Sequence, residues 1–114
     1  LKSLNLLSAS FIASAATLVL LAVPKEMRIG LPNSRYLIHQ PMSGMQGVAT
    51  DIEIHAKEME KTRAILNKLI ADETGTSLEQ VTKDTEREYW LDAEEAVKYG
   101  LISKTVAKRA DLPK

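Results

Sequence analysis

The stretch Leu-Pro-Asn-Ser-Arg-Tyr-Leu-Ile-His-Gln-Pro, residues 31–41, is the part of the chain around which the rest is arranged. Its apolar run over residues 36–38 is typical of a short buried strand, and the prolines at positions 32 and 41 mark turns or loops. His39 directly follows the run and is one of two histidines in the chain. An imidazole at a strand end is well positioned for acid–base chemistry, so His39 is a candidate catalytic residue.

A candidate nucleophile, Ser14, precedes His39 by 25 residues. Small residues surround it, so the backbone of a substrate could approach its hydroxyl closely. A serine hydroxyl is a poor nucleophile at neutral pH and needs a neighbouring imidazole to accept its proton. Helix serines and buried histidines are also common as structural residues, so spacing alone leaves both roles open.

Four blocks that follow one another along the chain carry a family resemblance. They are LPNSRYLIHQP at 31–41, GVATDIEIHAKEM at 47–59, TGTSLEQVTKDTERE at 74–88 and AEEAVKYGLIS at 93–103. Together they closely resemble the ClpP family, the proteolytic subunits of the Clp ATP-dependent protease, over residues 11–105. In that family the nucleophile precedes the histidine of the IHQP block by the same interval, which assigns these roles to Ser14 and His39.

The resemblance implies a fold and an activity. The fold is α/β and ClpP/crotonase-like, with repeated strand–helix units and a projecting handle helix. The activity is that of a serine endopeptidase that hydrolyses unfolded proteins inside a closed chamber. The family also implies a homo-oligomer of stacked heptameric rings, an AAA+ unfoldase as partner, and a location in the bacterial cytoplasm or an organelle interior.

The third member of the expected triad departs from the family pattern. ClpP proteins carry an aspartate 49 residues after the histidine, in the context Asp-Thr-Glu-Arg-Asp, whereas this chain has Glu88 there. Glutamate orients histidine in some hydrolases. Its extra methylene moves the carboxylate by roughly 1 Å, which costs on the order of 100-fold in rate unless the backbone compensates. Glu88 therefore either completes the triad or is a surface charge of a weakly active or inactive subunit; Asp84 could replace it only after a register shift.

The chain starts at Leu1, and residues 1–114 are expected to form a single ClpP-like protease domain that lacks the family's N-terminal part. Residues 42–49 contain two glycines and two methionines, which fits either a mobile loop or a strand that receives a peptide. In the ClpP interpretation, substrate binds as an added strand beside five residues. These are Gly44, Met45, Gln46, Gly47 and Val48.

Composition excludes several functional classes. The chain is 45% hydrophobic and 26% charged, which is typical of a globular domain. Fifteen basic and 15 acidic residues give a formal net charge of zero, so nucleic acid and anionic membranes are not expected partners. The absence of cysteine excludes disulfides and thiolate metal sites, and no cofactor is expected.

Residues 4–23 carry no charge, and three interpretations compete for them. A signal peptide would have its cleavage site within the run. A membrane span is just long enough, but several polar side chains dilute its hydrophobicity. We favour a buried strand at residues 4–7 followed by a buried helix at residues 14–23, because small residues permit close packing against a sheet.

The periodicity predicts a long helix over residues 50–73. Thr50 and Glu53 form a capping box, and Gly75 ends the helix. At 1.5 Å per residue its length is roughly 36 Å, too long for so small a domain to cover, so the helix should project against another subunit. In ClpP the corresponding helix is the handle by which two rings interlock. His55 lies on it among charged residues, where a structural role is expected.

Shorter elements complete the α/β pattern. Two further helices are predicted. One begins with a capping box of Ser77 and Gln80 and runs through residues 81–84, and the other covers residues 93–99, with Asp92 as its cap and Gly100 at its end. The remaining predictions are strands at 27–31, 36–38 and 101–106 and an extended stretch at 88–91.

A crotonase-type acyl-CoA enzyme is a rival from another class, since that fold shares the same alternation of strands and helices. It predicts coenzyme A binding and gives His39 no serine partner.

Overall fold

Strands and helices alternate along the chain, as the sequence predicts. The structure is a computed structural model that describes residues 7–8, 11–13, 15–39 and 46–112. The strands are β1 (Leu7–Ser8), β2 (Phe11–Ala13), β3 (Ile29–Gly30), β4 (Arg35–Ile38), β5 (Tyr89–Asp92) and β6 (Lys104–Thr105). The helices are α1 (Ala15–Leu21), α2 (Ala49–Thr74), α3 (Leu78–Asp84) and α4 (Ala93–Tyr99), with 3₁₀ turns at Lys25–Met27 and Arg109–Asp111.

The described strands form two three-stranded sheets. One has the order β1-β3-β6 and is parallel throughout. The other has the order β2-β4-β5, in which β2 runs parallel to β4, and β5 runs antiparallel to it. The central strand β4 therefore carries residues 35–38 of the LPNSRYLIHQP block between two neighbours.

One face of β4 and β5 builds the hydrophobic core. Tyr36, Ile38 and Leu91 on this face are almost completely buried. They belong to one cluster that includes residues from all four helices: Leu20, Leu21, Ile70, Ala71, Val81 and Ala96. Because side chains alternate along a strand, Arg35, Leu37 and His39 lie on the opposite face. The candidate catalytic face is thus separated from the core by the sheet itself.

Within the uncharged stretch at residues 4–23, the described residues form two short strands and a helix; the predicted strand at residues 4–7 lies outside them except for Leu7. Leu20 and Leu21 of α1 are buried, as the favoured interpretation requires. The helix ends at Leu21 rather than at residue 23. Within the described ranges, no helix has the length and apolarity needed to cross a membrane.

The long helix α2 is confirmed, but its predicted N-cap is wrong. It begins at Ala49, and Val48 occupies the N-cap position without a side-chain hydrogen bond. The start is held by backbone bonds from Asp51 and Ile52 to the Val48 carbonyl, which places Thr50 inside the helix. The C-terminal prediction is correct, since Gly75 adopts a left-handed conformation with φ of 79°.

Helix α2 projects from the rest of the molecule. Its buried residues all lie in the last two turns: Asn67, Ile70, Ala71 and Thr74. The preceding turns carry exposed apolar side chains, including Ile54 and Ile65, and the molecule measures 56 × 26 × 24 Å. About 26 residues at 1.5 Å each give a helix of roughly 39 Å, most of the longest dimension.

Arg28, which directly precedes β3, connects the buried end of α2 to this strand. Its side chain is fully buried beside β3, and Nη2 donates to the Glu73 carbonyl at 2.9 Å. The Glu73 carboxylate lies 3.7 Å from Nη1. Burial lowers the pKa of Arg28, and the neighbouring carboxylates of Glu73 and Glu26 partly oppose that effect.

The caps of the two shorter helices follow the sequence closely. At α4, Asp92 and Glu95 form a complete capping box, and Gly100 ends the helix. At α3, the Ser77 side chain accepts from the Gln80 backbone as predicted. The Gln80 side chain does not return the bond and donates instead to Asp84 Oδ1 at 2.7 Å.

Two strand predictions are wrong in extent. Residue 27 lies in a 3₁₀ turn, so β3 contains only Ile29–Gly30. Leu101 and Ile102 are buried without sheet pairing, because their amides complete the C-terminal turn of α4 by donating to the Ala96 carbonyl. The last strand is therefore reduced to Lys104–Thr105.

Candidate active site

Two candidate catalytic residues lie at the same end of neighbouring strands. His39 directly follows β4, and Glu88 directly precedes β5. The antiparallel register pairs Ile38 with Tyr89. Continuing it by one residue brings Glu88 opposite His39, with both side chains on the face away from the core. Such cross-strand neighbours are close enough for a carboxylate to orient an imidazole.

The third candidate, Ser14, lies outside the described residues. Its sequence neighbours Ala13 and Ala15 are the last residue of β2 and the first of α1. β2 pairs with β4 up to Ala13 and Leu37, and the Thr17 hydroxyl of α1 donates to the Leu37 carbonyl at 2.9 Å. β2 and α1, the elements before and after position 14, thus both bond to β4, the strand that His39 directly follows.

Glu88 is exposed and contacts an aromatic neighbour. The indole Nε1 of Trp90 donates to Glu88 Oε2 at 3.4 Å. Trp90 is two residues further along, so both side chains lie on the same face of the strand. The guanidinium carbon of Arg35 lies 5.6 Å from the Trp90 ring centroid, which is within cation–π range. Arg35, Trp90 and Glu88 therefore form a row that leads toward His39.

Asp84, the alternative to Glu88, is engaged elsewhere. Its carboxylate accepts from the Tyr99 hydroxyl at 2.9 Å and from the Gln80 side chain at 2.7 Å. Burial, with the hydrogen bond to Asp84, raises the pKa of Tyr99 well above its ordinary value. The register shift that would bring Asp84 to His39 has not occurred, so Asp84 is a structural link between α3 and α4.

The predicted substrate-binding stretch is described only in part. Gly44 and Met45 lie outside the described residues. Gln46, Gly47 and Val48 are exposed and lead into α2, and none of the three is in a strand. Their contact with a peptide stays a prediction.

Sequence reasoning missed Trp90 and Arg35 as neighbours of the site. The signal that could have found Trp90 is its i, i+2 spacing from Glu88, which puts both on one strand face. Arg35 becomes its neighbour only through pairing of β4 with β5. The other histidine, His55, is half-buried on α2, and no cluster of three or more His, Asp or Glu residues suited to a metal occurs in the described parts of the chain.

The Clp protease family model matches residues 4–109. The chain belongs to the Clp protease family. Among curated relatives, the ATP-dependent Clp protease proteolytic subunit 2 of Treponema pallidum is 69% identical over 103 residues, which cover 90% of this chain and 52% of the relative. The same subunit of Treponema denticola is 63% identical over 102 residues, covering 90% and 51%.

A solved Clp protease structure supports the fold. A ClpP1 mutant from Listeria monocytogenes superposes with a TM-score of 0.83 at 42% identity, covering 91% of this chain and 57% of that one. The chain spans about half the length of the curated relatives it matches. These matches confirm the ClpP-like α/β fold and leave the acyl-CoA enzyme interpretation without support.

Proposed function

We propose that the chain is part of a proteolytic subunit of an ATP-dependent Clp protease, a serine endopeptidase. Ser14 is the nucleophile, His39 the general base and then acid, and Glu88 the orienting carboxylate. The substrate is unfolded polypeptide, bound as an added strand beside residues 44–48. The subunits stack as heptameric rings, receive substrate from an AAA+ unfoldase and work in the cytoplasm.

Each side chain has one task in the reaction. His39 removes the Ser14 hydroxyl proton as the oxygen attacks the scissile carbonyl, and the Glu88 carboxylate stabilises the imidazolium that forms. His39 then gives the proton to the leaving amine as the C–N bond breaks. A water molecule hydrolyses the acyl-enzyme by the same route and regenerates the Ser14 hydroxyl.

The observation that carries the proposal is the register of β4 and β5. The register pairs Ile38 with Tyr89, so in a chain of this family its continuation by one residue would put Glu88, a carboxylate residue, opposite the histidine of the IHQP block. The bonding of β2 and α1 to β4 supports the same assignment, because the elements before and after position 14 both bond to the strand that His39 directly follows.

The test is hydrolysis of a short fluorogenic peptide by the assembled full-length protein. Ser14→Ala should abolish turnover and labelling by a serine-reactive fluorophosphonate. Glu88→Gln, which keeps the side-chain size but removes the charge, should lower kcat by roughly 100-fold or more. Glu88→Asp should lose less activity than Glu88→Gln, because it retains a carboxylate. A wild-type particle that neither turns over peptide nor reacts with the probe refutes the proposal.

A second candidate, a weakly active or inactive subunit of a mixed assembly, is favoured by one feature. Glu88 is exposed and replaces the shorter aspartate of the family, so its carboxylate is less constrained. In that case the probe labels Ser14 slowly, and Glu88→Gln has the same low turnover as the parent.

A further inference from the structure

We infer that Trp90 is a positioning residue for catalysis, with its indole N–H holding the Glu88 carboxylate in the orientation that His39 needs. This inference rests on the proposed function. It adds a residue to which neither the family pattern nor the resemblance assigns a role.

Trp90 and Glu88 lie on one face of the same strand. Trp90 Nε1 donates to Glu88 Oε2 at 3.4 Å along one strand face, and His39 follows on the neighbouring strand across the continued register. In the proposed triad, the carboxylate of Glu88 would therefore accept from an indole donor on its own strand and from an imidazole on the next. Through this bond Trp90 acts on Glu88.

The indole and the imidazole do not compete for the same acceptor. An ionised carboxylate has two oxygens and about four acceptor positions. The bond from Trp90 uses Oε2, which leaves Oε1 for an N–H of His39. Fixing one oxygen also fixes the plane of the carboxylate, and hence the direction in which the other can accept.

A glutamate needs such support more than an aspartate does. Ordering a glutamate side chain costs more rotamer entropy than ordering the shorter aspartate, and Glu88 is exposed, so packing does not supply the order. The indole bond restricts those rotamers before substrate arrives. This restriction offsets part of the loss in kcat that the extra methylene of glutamate would otherwise cause.

Trp90 is itself held in place. It is half-buried, its strand position pairs with Leu37, and Arg35 lies over its ring at 5.6 Å from the centroid. A planar side chain with few rotatable bonds, contacted on its ring face, provides a fixed donor. Trp90, the middle of the three side chains from Arg35 to Glu88, is thus a rigid hydrogen-bond donor to Glu88.

The test is a double-mutant cycle in the assembled full-length protein, using kcat for a fluorogenic peptide. Trp90→Phe keeps a ring of similar shape and removes the N–H. We expect kcat to fall roughly tenfold with KM unchanged, near the low end for a hydrogen bond to a charged group, because 3.4 Å is long. In the Glu88→Asp background the shorter side chain cannot reach the indole, so Trp90→Phe should change kcat less than twofold.

Tyr89→Phe is the matched control, because it also alters one aromatic side chain of β5 but on the core-facing side; it should change kcat less than twofold. An unchanged kcat for Trp90→Phe in an active enzyme overturns the inference and leaves the proposed function standing. Equal losses in both backgrounds also overturn it, since they indicate a packing effect. An inactive wild-type particle removes the proposed function, and the inference with it.

A readout independent of activity is available because Trp90 is the single tryptophan. The ultraviolet resonance Raman band sensitive to indole N–H hydrogen bonding therefore reports this residue alone. Glu88→Ala should shift that band toward the position of a more weakly bonded indole. A band that stays at the wild-type position contradicts the contact on which the inference depends.

Discussion

Tyr99 illustrates how one side chain makes the molecule sensitive to pH. Its hydroxyl donates to Asp84 at 2.9 Å, and its ring lies 5.9 Å from that of Tyr89. Burial and the Asp84 hydrogen bond both favour the neutral phenol, so the pKa of Tyr99 is raised in the folded state. Below the ordinary tyrosine pKa of about 10, the hydrogen bond stabilises the fold in full.

Raising the pH above about 10 should therefore lower the free energy of unfolding, because the unfolded chain loses a phenolic proton that the folded chain retains. Tyr99→Phe should cost about 1.5 kcal/mol at neutral pH, through loss of a hydrogen bond to a carboxylate, and should make the alkaline decline shallower. Urea unfolding of both proteins from pH 7 to 11 measures this. Parallel pH curves for the two proteins would exclude Tyr99 as the titrating group.

Among the elements, the ends of the helices α2 and α4 differ in an instructive way. Both end at a glycine in the left-handed conformation, with φ of 79° at Gly75 and 97° at Gly100. A Cβ at Gly75 would meet no atom within 4 Å, whereas one at Gly100 would overlap the Thr74 carbonyl oxygen. The second glycine is thus needed both for its backbone angle and for close packing against the end of α2.

Alanine at the two positions should separate these effects. Gly75→Ala should lower the free energy of unfolding by about 1 kcal/mol, the cost of left-handed backbone for an L-residue. Gly100→Ala should cost about 3 kcal/mol or more, because the backbone of Thr74 must also move. Calorimetric unfolding of the two variants provides the comparison, and equal losses would mean that the Thr74 contact is relieved without cost.

The helix caps and the last strand show which local features can be predicted from the sequence. The capping box at Asp92 was predictable because all its partners lie within four residues. The N-cap at Val48 was not, since nothing in its side chain identifies it, and Thr50 with Glu53 offered a better local pattern. Leu101 and Ile102 resembled a strand because both are apolar. They are apolar because they are buried in the core, and they do not pair with another strand.

The candidate site was predictable to a similar degree. The spacing of Ser14, His39 and Glu88 could be compared with a family pattern, because the pattern is linear in sequence. The contact of Arg35 with Trp90 depends on which strands pair and in what register. No periodicity within one segment contains that information.

At the scale of the whole molecule, the exposed apolar side chains of α2 predict an interface. Ile54 and Ile65 are 61% and 68% exposed, and their spacing of three helical turns puts them on one face. Buried Asn67 lies on roughly the opposite side of the helix. Exposed isoleucines on the side of a helix directed away from the core, here on either side of the Glu58–Lys61 ion pair, are expected where the helix packs against another subunit.

Ile65→Asp should therefore shift the assembled protein toward smaller species in analytical ultracentrifugation, because a charge would be buried in the contact between rings. Lys57→Ala, an exposed change on the same helix, is the control and should leave the distribution unchanged. Full assembly of the Ile65→Asp protein would show that this face of α2 does not meet another subunit.

The attachment of α2 at one end makes the helix a cantilever. Its buried residues all lie within the last eight positions, about 12 Å of a rod of roughly 39 Å, and Arg28 bonds to the Glu73 carbonyl within that base. A rocking motion of 1 Å across the base is therefore amplified to about 2 Å at the free end. Motion of the packed base beside the Arg28 guanidinium is therefore carried to Val48, at the free end of the helix, with about twice the displacement.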